Sequence, residues 1–365
     1  MVVAFAAHAH ASPWTVTAEG GGEVDTNVQR VETGPGLTTA PVSSGVVRIG
    51  AKLAHTGKLL GGNYGFGASD LTRLVTDNTV DVENVTMLAG DARWLHPIGD
   101  QPASAGVGVT AIDAIGVSDP IGARTFRSLG ADALLQLRSG DDHRLTLGVG
   151  ARDFHYKPDP QYDYTAPAVN ARLDSILWRS ADTTQSVELA TSLGFEARTY
   201  DGTAFADGCA PGSKPDPACF VATDITRRDR YARAGVDLTY AGHNVAAIGY
   251  QLTIIDSNSF GQSLARHRVI ASGTTSHGKL YATLLAILQI DQYLDGLILE
   301  RDLQHTEFTN IEDENRSSLQ LRVARKLSSD WSLEGRAAVW RNIGVNAMEL
   351  SFQRELVSVG LVYSR

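Results

Sequence analysis

The side chains in this chain that could do chemistry are charged residues that alternate with apolar ones over long segments. Between 187 and 198, for example, Glu188, Glu196 and Arg198 share one face of an extended segment and aliphatic residues take the other. Such a charged face must meet water or a wet lumen, because unpaired charges cannot enter a dry core. Mixed charges around a lumen hydrate it and set its preference among ions and solutes. The predicted lumen-lining residues are Arg48, Lys52, Asp132, Arg138, Arg144, Arg152, Arg172, Asp174, Glu188, Glu196, Arg198, Arg233, Asp237, Arg268, Arg322, Glu334 and Arg336.

A structural role for the same residues is the alternative. Arginine–carboxylate pairs could brace a plugged or narrow wall instead of lining a path for solute. In either case the aliphatic face must be buried in protein or in lipid.

No catalytic or metal-binding motif accompanies these charges. The chain contains no Gly-x-Ser-x-Gly nucleophile motif, no Walker A loop and no His-Glu-x-x-His motif. The residues His55, His96, His143, His243 and His277 fall at or beside predicted short turns, which favours an interfacial role. We therefore expect no enzymatic activity, no cofactor and no bound metal. A catalytic set assembled from distant strands is the alternative, since it would leave no motif.

The two cysteines lie in one Pro- and Gly-rich segment. Cys209 and Cys219 are spaced so that a disulfide could pin the segment, and such a bond contributes about 2–3 kcal/mol of chain entropy. Two free thiols are the alternative. A metal site is not expected because no histidine accompanies them.

The alternating segments are predicted to be strands, and many exceed the usual strand length of about 5–6 residues. Their length disfavours sandwiches and propellers. The predicted strands are 14–30, 44–56, 58–75, 80–95, 103–116, 124–139, 143–156, 164–178, 185–200, 227–241, 244–257, 263–275, 279–292, 315–327, 331–342 and 349–365.

The connections between these strands alternate in length. Those at 31–43, 201–226 and 293–314 are long, whereas the short ones are rich in the Gly, Ser and Asp that tight hairpins need. This alternation is typical of outer-membrane barrels, which have short periplasmic turns and longer extracellular loops. The fold class predicted is therefore all-β, a transmembrane antiparallel up-and-down β-barrel of about sixteen strands. Both termini should be periplasmic, with the first and last strands paired, because an open edge in lipid leaves backbone groups unpaired. The short turns are predicted at 55–57, 96–102, 139–142, 241–243, 276–278 and 328–330.

Aromatic residues are predicted to form one belt at each membrane interface. Trp14, Trp94, Trp178 and Trp331 fall at the short-turn ends of their strands, although Trp178 has the polar parity of its strand. A second group clusters towards the long loops: Phe154, Tyr156, Tyr164, Tyr200, Tyr231 and Trp340.

Length and composition agree with export to an outer membrane. The 365 residues contain no run of 18 apolar residues, which excludes a helical membrane protein, and the net charge of −9 disfavours nucleic-acid binding. Residues 1–11 are predicted to be the remnant of a signal peptide, leaving 12–365 as the barrel. Ala9-His10-Ala11 matches a signal-peptidase site, but no basic residue precedes it. A disordered N-terminal tail is the alternative.

Two short motifs resemble a known family. The segment Ala18 to Val28, with Asp25-Thr26-Asn27-Val28, and the later Asp256-Ser257-Asn258-Ser259 are similar to motifs of outer-membrane β-barrel porins. That family includes barrels that accompany exopolysaccharide export. The resemblance implies a passive conduit, and in its most specific form a path for secreted polysaccharide passed up from a periplasmic export complex.

The sequence therefore predicts a porin-like channel integral to the outer membrane. Its expected partners are outer-membrane lipid and small solutes or polysaccharide in the lumen. A surface structural or adhesive barrel with a closed lumen is the main alternative. The acidic loop 293–314 is expected to be solvated, with an inward-folded constriction as the alternative.

Overall fold

A computed structural model of the chain describes residues 14–33, 40–122, 124–211, 219–294, 316–342 and 351–365. The predicted signal-peptide remnant lies outside these residues. The acidic loop also lies outside them, except for Tyr293 and Leu294.

The described residues form sixteen antiparallel strands in one closed barrel, which confirms the predicted fold class. Each strand pairs with its neighbours in chain order, and β1 pairs with β16 to close the sheet. The strands are β1 (Trp14–Asp25), β2 (Ser44–Leu59), β3 (Gly62–Val75), β4 (Val85–Pro97), β5 (Ala103–Gly116), β6 (Phe126–Ser139), β7 (His143–Tyr156), β8 (Tyr164–Arg179), β9 (Ser186–Asp207), β10 (Phe220–Ala241), β11 (Val245–Ser257), β12 (Leu264–His277), β13 (Leu280–Tyr293), β14 (Ser317–Lys326), β15 (Trp331–Arg341) and β16 (Gln353–Ser364).

Two predicted connections are wrong in position. The first turn lies at Leu60–Gly61, not at 55–57, and the positive φ angles of 50° and 75° at these residues are those of a tight two-residue hairpin. Gly57 lies inside β2, paired with Tyr64, and a Cβ there would come within 2.9 Å of the Tyr64 ring, so this glycine makes room for the ring and does not form a turn. The long connection predicted at 201–226 shrinks to 208–219, since β9 and β10 are each 22 residues long.

The outer face of the barrel is aliphatic. Val109, Leu193 and Val357 are 50 %, 65 % and 59 % exposed, and they share the parity of the other exposed aliphatic side chains on their strands. Among the described residues, no helix has the length and hydropathy to cross a membrane; the helices there are two short 3₁₀ turns, Asn78–Glu83 and Pro160–Tyr162. A closed sheet satisfies its backbone internally, so this aliphatic exterior can face lipid.

Four tryptophans border the aliphatic exterior at the short-turn end. Trp14 contacts the His55 ring at a centroid distance of 4.2 Å, and Trp331 contacts Tyr363 at 5.3 Å. Trp94 lies over His96, with 5.5 Å between centroids. Trp178 also faces outward, because a bulge between Ile176 and Trp178 shifts its register so that it pairs with Val187.

The second predicted aromatic belt is wrong. Phe154, Tyr156, Tyr164, Tyr200, Tyr231 and Trp340 lie on the inner face of the barrel and are 2–4 % exposed. They share strand parity with lumen charges such as Arg152 and Arg198, and this parity turns them away from lipid.

The barrel is integral to the outer membrane. Its aliphatic exterior, tryptophan border and alternation of short turns with long loops are those of outer-membrane barrels. The short-turn end is accordingly periplasmic and the long-loop end extracellular.

Candidate functional site: the inner wall of the barrel

The ladder register places every predicted lumen residue on the face opposite the aliphatic exterior. Arg152 pairs with Gly130 and Ala166, and Glu196 pairs with Tyr231, all on that inner face. The predicted residues therefore surround one enclosed space. The side chains and segments that fill this space decide whether solute can pass through it.

The extracellular half of the inner wall is buried around its whole circumference. Every strand contributes an inward residue there that is no more than 8 % exposed. One such residue from each of β1 to β16 is Asp25, Val46, Arg73, Val85, Ala114, Phe126, Phe154, Tyr164, Arg198, Tyr231, Ile255, Leu264, Asp291, Ser318, Trp340 and Leu356. We call this ring the buried layer.

Connecting segments help to cover the buried layer. Val28, Val80 and Phe352 are at most 2 % exposed although they lie between strands. Tyr162, in the second 3₁₀ turn, packs beside the layer with its ring 5.9 Å from that of Tyr156. Desolvation accordingly raises the pKa of the Tyr162 phenol above its ordinary value. A sixteen-strand barrel is too wide for wall side chains alone to fill, so these segments must narrow it.

Aromatic rings run along one side of the buried layer. Successive centroids from Phe126 to Phe154, Tyr164 and Tyr200 are 5.6, 5.0 and 5.3 Å apart on four neighbouring strands. These separations are those of favourable ring pairs. This side of the layer is therefore firmly packed.

A guanidinium extends the aromatic row across β9 and β10. The Cζ atom of Arg198 lies 4.6 Å from the Tyr164 centroid and 3.8 Å from that of Tyr231. Arg198 also donates to Glu196 and, at 3.0 Å, to the Tyr231 hydroxyl. Glu196 accepts a further hydrogen bond of 3.1 Å from Arg233. Because Arg198 is 2 % exposed, these partners hold its charge away from bulk water.

A second charged cluster spans the seam where the barrel closes. Arg354 of β16 donates to Asp25 of β1 at 2.6 Å, and Arg73 of β3 donates to Asp25 at 3.1 Å and to Glu23 at 2.7 Å. The four residues are at most 4 % exposed, and their charges balance two against two. The cluster ties both terminal strands to β3.

The two motifs that resemble porin sequences anchor loops at the extracellular end. The amide of Asn27 donates to the carbonyl groups of Val31 and Gln353, at 2.8 and 3.2 Å. In the later motif, Asn258 accepts from the Arg228 backbone at 2.7 Å. Both asparagines therefore fix backbone turns.

The periplasmic half of the inner wall is open to water and carries its charges differently. Arg144 and Arg172 share Asp174, at 3.0 and 2.7 Å, and the two arginine side chains are about half exposed. Arg322 pairs with Glu334. Such exposed pairs contribute only about 0–1 kcal/mol each, so stability does not explain them.

The predicted set omitted several inward charges. Glu23, Asp25, Arg73, Asp229 and Arg354 are all buried on the inner face. For Glu23 and Asp25 the sequence already indicated the inner face, because these residues, like Glu19 and Gly21, alternate with residues of the outer face. For the others, parity marks the face but not the depth at which each charge lies.

Cys209 and Cys219 form a disulfide with Cα atoms 4.9 Å apart, at the end of the β9–β10 hairpin. Among the described residues, one group of acidic, histidine or cysteine side chains lies close enough together to share a metal ion. It consists of Asp207 and these two cysteines. The disulfide commits both sulfurs, so the group does not supply thiolate ligands.

Removing the disulfide should loosen the hairpin end without unfolding the barrel. For a Cys209→Ser, Cys219→Ser variant we expect proteinase K to cut within 208–219 roughly tenfold faster or more, since the bond restrains only this short loop. The heat-modified mobility of the barrel on gels should not change. A fall in barrel stability comparable to that of a core substitution would contradict this expectation.

No protein-family model matches the chain, and no curated protein sequence matches it. Among solved structures, the barrel is similar to a deltaS2 mutant of the TodX monoaromatic hydrocarbon channel, with TM-score 0.40, 9% identity, and coverage of 96% of this chain and 89% of that one. It is also similar to a triple mutant of Rhodopseudomonas blastica porin, with TM-score 0.37, 11% identity, and coverage of 96% and 99%. A third similar structure is Pseudomonas aeruginosa OccK11 (OpdR), with TM-score 0.41, 9% identity and 96% of each chain covered. Likeness at this level assigns neither a solute nor an activity.

Proposed function

We propose that this protein is a passive, non-enzymatic outer-membrane channel for small polar solutes. The observation that carries the proposal is the water-exposed, charged inner wall of the periplasmic half, where Arg138, Arg144 and Arg172 are accessible from within a closed barrel. A lumen that passes no solute would be more stable if apolar side chains filled it, since exposed charge pairs contribute little to the stability of the folded barrel. The wide, wet periplasmic half then serves as a vestibule.

The buried layer makes the channel selective. Its ring of packed side chains and inward segments narrows the extracellular half, so a solute must pass beside it or displace part of it. This arrangement favours small solutes over a wide, general pore.

A closed-lumen surface barrel is the second candidate, and the buried layer is also the observation that favours it. In that case the layer would be a permanent plug, and the extracellular loops would carry the function. The exposed charges of the periplasmic half would then have no role, which is why we rank this candidate second.

The conduit for secreted polysaccharide is the most specific form of the channel proposal. A polymer would require the buried layer to move aside, whereas a small solute requires less displacement. Loss of secreted polysaccharide in a deletion strain, restored by the wild-type chain, would support this form and a periplasmic export complex as partner. Unchanged secretion would leave the small-solute channel as the proposal.

Single-channel recording in planar bilayers tests the channel proposal. We expect discrete current steps that are smaller than those of an unobstructed sixteen-strand pore. The barrel should first be shown to be folded by heat-modified mobility on gels. A folded barrel that stays silent at every voltage would favour the closed-lumen candidate.

A further inference from the structure

We propose that the inner wall between β9 and β12 contains a binding site for the carboxylate of a hydroxyl-rich solute, such as a sugar acid. The inference rests on the proposed channel function and names its substrate class. The site is formed by Ser192, Gly194, Arg233, Gly235, Gln251 and Arg268, which we call the arginine–glycine patch.

The ladder register brings the members of the patch together. Arg268 on β12 pairs with Gln251 on β11, which pairs with Gly235 on β10, which pairs with Ser192 on β9. Arg233 and Gly194 form the adjacent inward pair, two residues towards the extracellular end. All six therefore lie on the inner face, within two neighbouring rows.

The patch contains a cation whose hydrogen-bonding capacity is not used. The Nε atom of Arg268 is buried and has no hydrogen-bond partner. Among the described residues, Arg268 also has no carboxylate within 4.0 Å. Arg268 as a whole is only half-buried, and no side chain among the described residues pairs with it, so the accessible part of its guanidinium can bind an acceptor from the lumen.

The nearby carboxylates are committed elsewhere or lie lower in the lumen. Asp291 is held by Arg266 at 2.9 Å, and Glu196 is shared by Arg198 and Arg233. Asp237 follows Gly235 by two residues towards the periplasm and pairs with Gly249 across the ladder. The patch is therefore locally cationic in a chain whose net charge is −9.

The neighbouring groups fit a carbohydrate acid better than a bare anion. Arg233 and Arg268 present planar guanidinium forks, which match a carboxylate. The Gln251 amide and Ser192 hydroxyl can bond sugar hydroxyl groups, because each both donates and accepts. Gly194 leaves space at the wall, since a Cβ there would have no neighbour closer than 3.9 Å. A ring could therefore lie close to the strand backbone.

Equilibrium dialysis of the detergent-folded barrel against radiolabelled glucuronate tests the site without requiring ion current. We expect wild-type binding and at least a tenfold weaker affinity in Arg268→Gln. The matched control is Arg93→Gln, which also removes an inward arginine but lies on β4 outside the patch, and it should change the affinity less than twofold. Equal losses in both variants, or no binding by the wild type, would overturn the proposal.

Two further measurements separate this inference from the channel proposal. In planar bilayers, glucuronate should interrupt the ion current at a half-blocking concentration that rises at least tenfold in Arg268→Gln, whereas glucose should not block. Steady current without glucuronate block would refute the site and leave the channel intact. Glucuronate binding in a silent barrel would retain the site and refute the channel. Competition by inorganic phosphate as strong as that by glucuronate would show a plain anion site and overturn the sugar-acid assignment.

Discussion

Replacing Asp25 by alanine should destabilise the folded barrel by about 3–5 kcal/mol, because removing one partner leaves the remaining buried charges uncompensated. Asp25 is 0 % exposed and accepts hydrogen bonds from Arg354 and Arg73. Without it, two guanidiniums would remain beside the single carboxylate of Glu23. Urea unfolding from lipid vesicles, followed by tryptophan fluorescence, measures the change.

Asp113 provides the matched control for this substitution. It also has two cationic partners, Arg127 at 3.0 Å and Lys157 at 2.6 Å, but it lies at the exposed end of β5 and faces outward. Asp113→Ala should therefore cost no more than about 1 kcal/mol. Asp25→Asn, which keeps the side-chain size, should lose nearly as much stability as Asp25→Ala. Equal small losses at both positions would refute a special role for the seam cluster.

The position of Asp25 explains why its expected effect is global. Its partners lie on β16 and β3, so one carboxylate links the last strand of the chain to strands near the first. The closing contact between β1 and β16 joins residues more than 300 positions apart in sequence. Such long-range closure carries the largest chain-entropy cost of any strand pairing in the barrel. A buried ion cluster at that seam therefore stabilises the least local part of the fold.

The strand number and barrel closure were predictable because period-2 alternation continues through long segments. From Leu129 to Leu137 the aliphatic residues at odd positions face outward, and this pattern alone marks the lipid-facing side. A membrane barrel has no other protein layer to bury that side, so strand polarity follows directly from residue type. Turn positions were less predictable, since Gly57 resembles a turn residue but instead makes room for the Tyr64 ring.

The aromatic residues show where residue type misleads and parity does not. Phe154 and Tyr156 have the same parity as Arg152, so alternation already assigns them to the lumen wall. Their aromatic type suggested a membrane interface instead. Trp178 is the opposite case, because its parity suggested the lumen and an inserted residue turns it outward. A bulge inserts one unpaired residue and shifts the parity of every later residue on the strand, so parity counted from the earlier residues assigns the wrong face.

The buried layer itself was not predictable from the strands. Its burial depends on segments such as Val28 and Phe352 that lie between strands and have no periodic signal. Alternation identifies which face a charge occupies, but not whether that face is covered. The division of the lumen into an open periplasmic half and a packed extracellular half is therefore a property of the folded chain.

Replacing Arg198 should open the buried layer and raise the single-channel conductance severalfold. Its guanidinium lies over two tyrosine rings and bonds both Glu196 and the Tyr231 hydroxyl, so replacing it removes several contacts of the layer at once. Arg198→Lys keeps the charge but loses the planar group that contacts the rings. We therefore expect Arg198→Lys to remain folded while its current steps become larger and noisier.

Arg322→Gln separates an effect on packing from an effect on charge. Arg322 also pairs with a lumen glutamate, but its side chain is 53 % exposed in the open half. Its replacement should shift the reversal potential in a salt gradient without enlarging the current steps. If the buried layer is a permanent plug, Arg198→Lys will stay as silent as the wild type. If the layer is a selective constriction, the conductance gain will be accompanied by weaker discrimination between small and large solutes, because the same contacts that narrow the path also set its size limit.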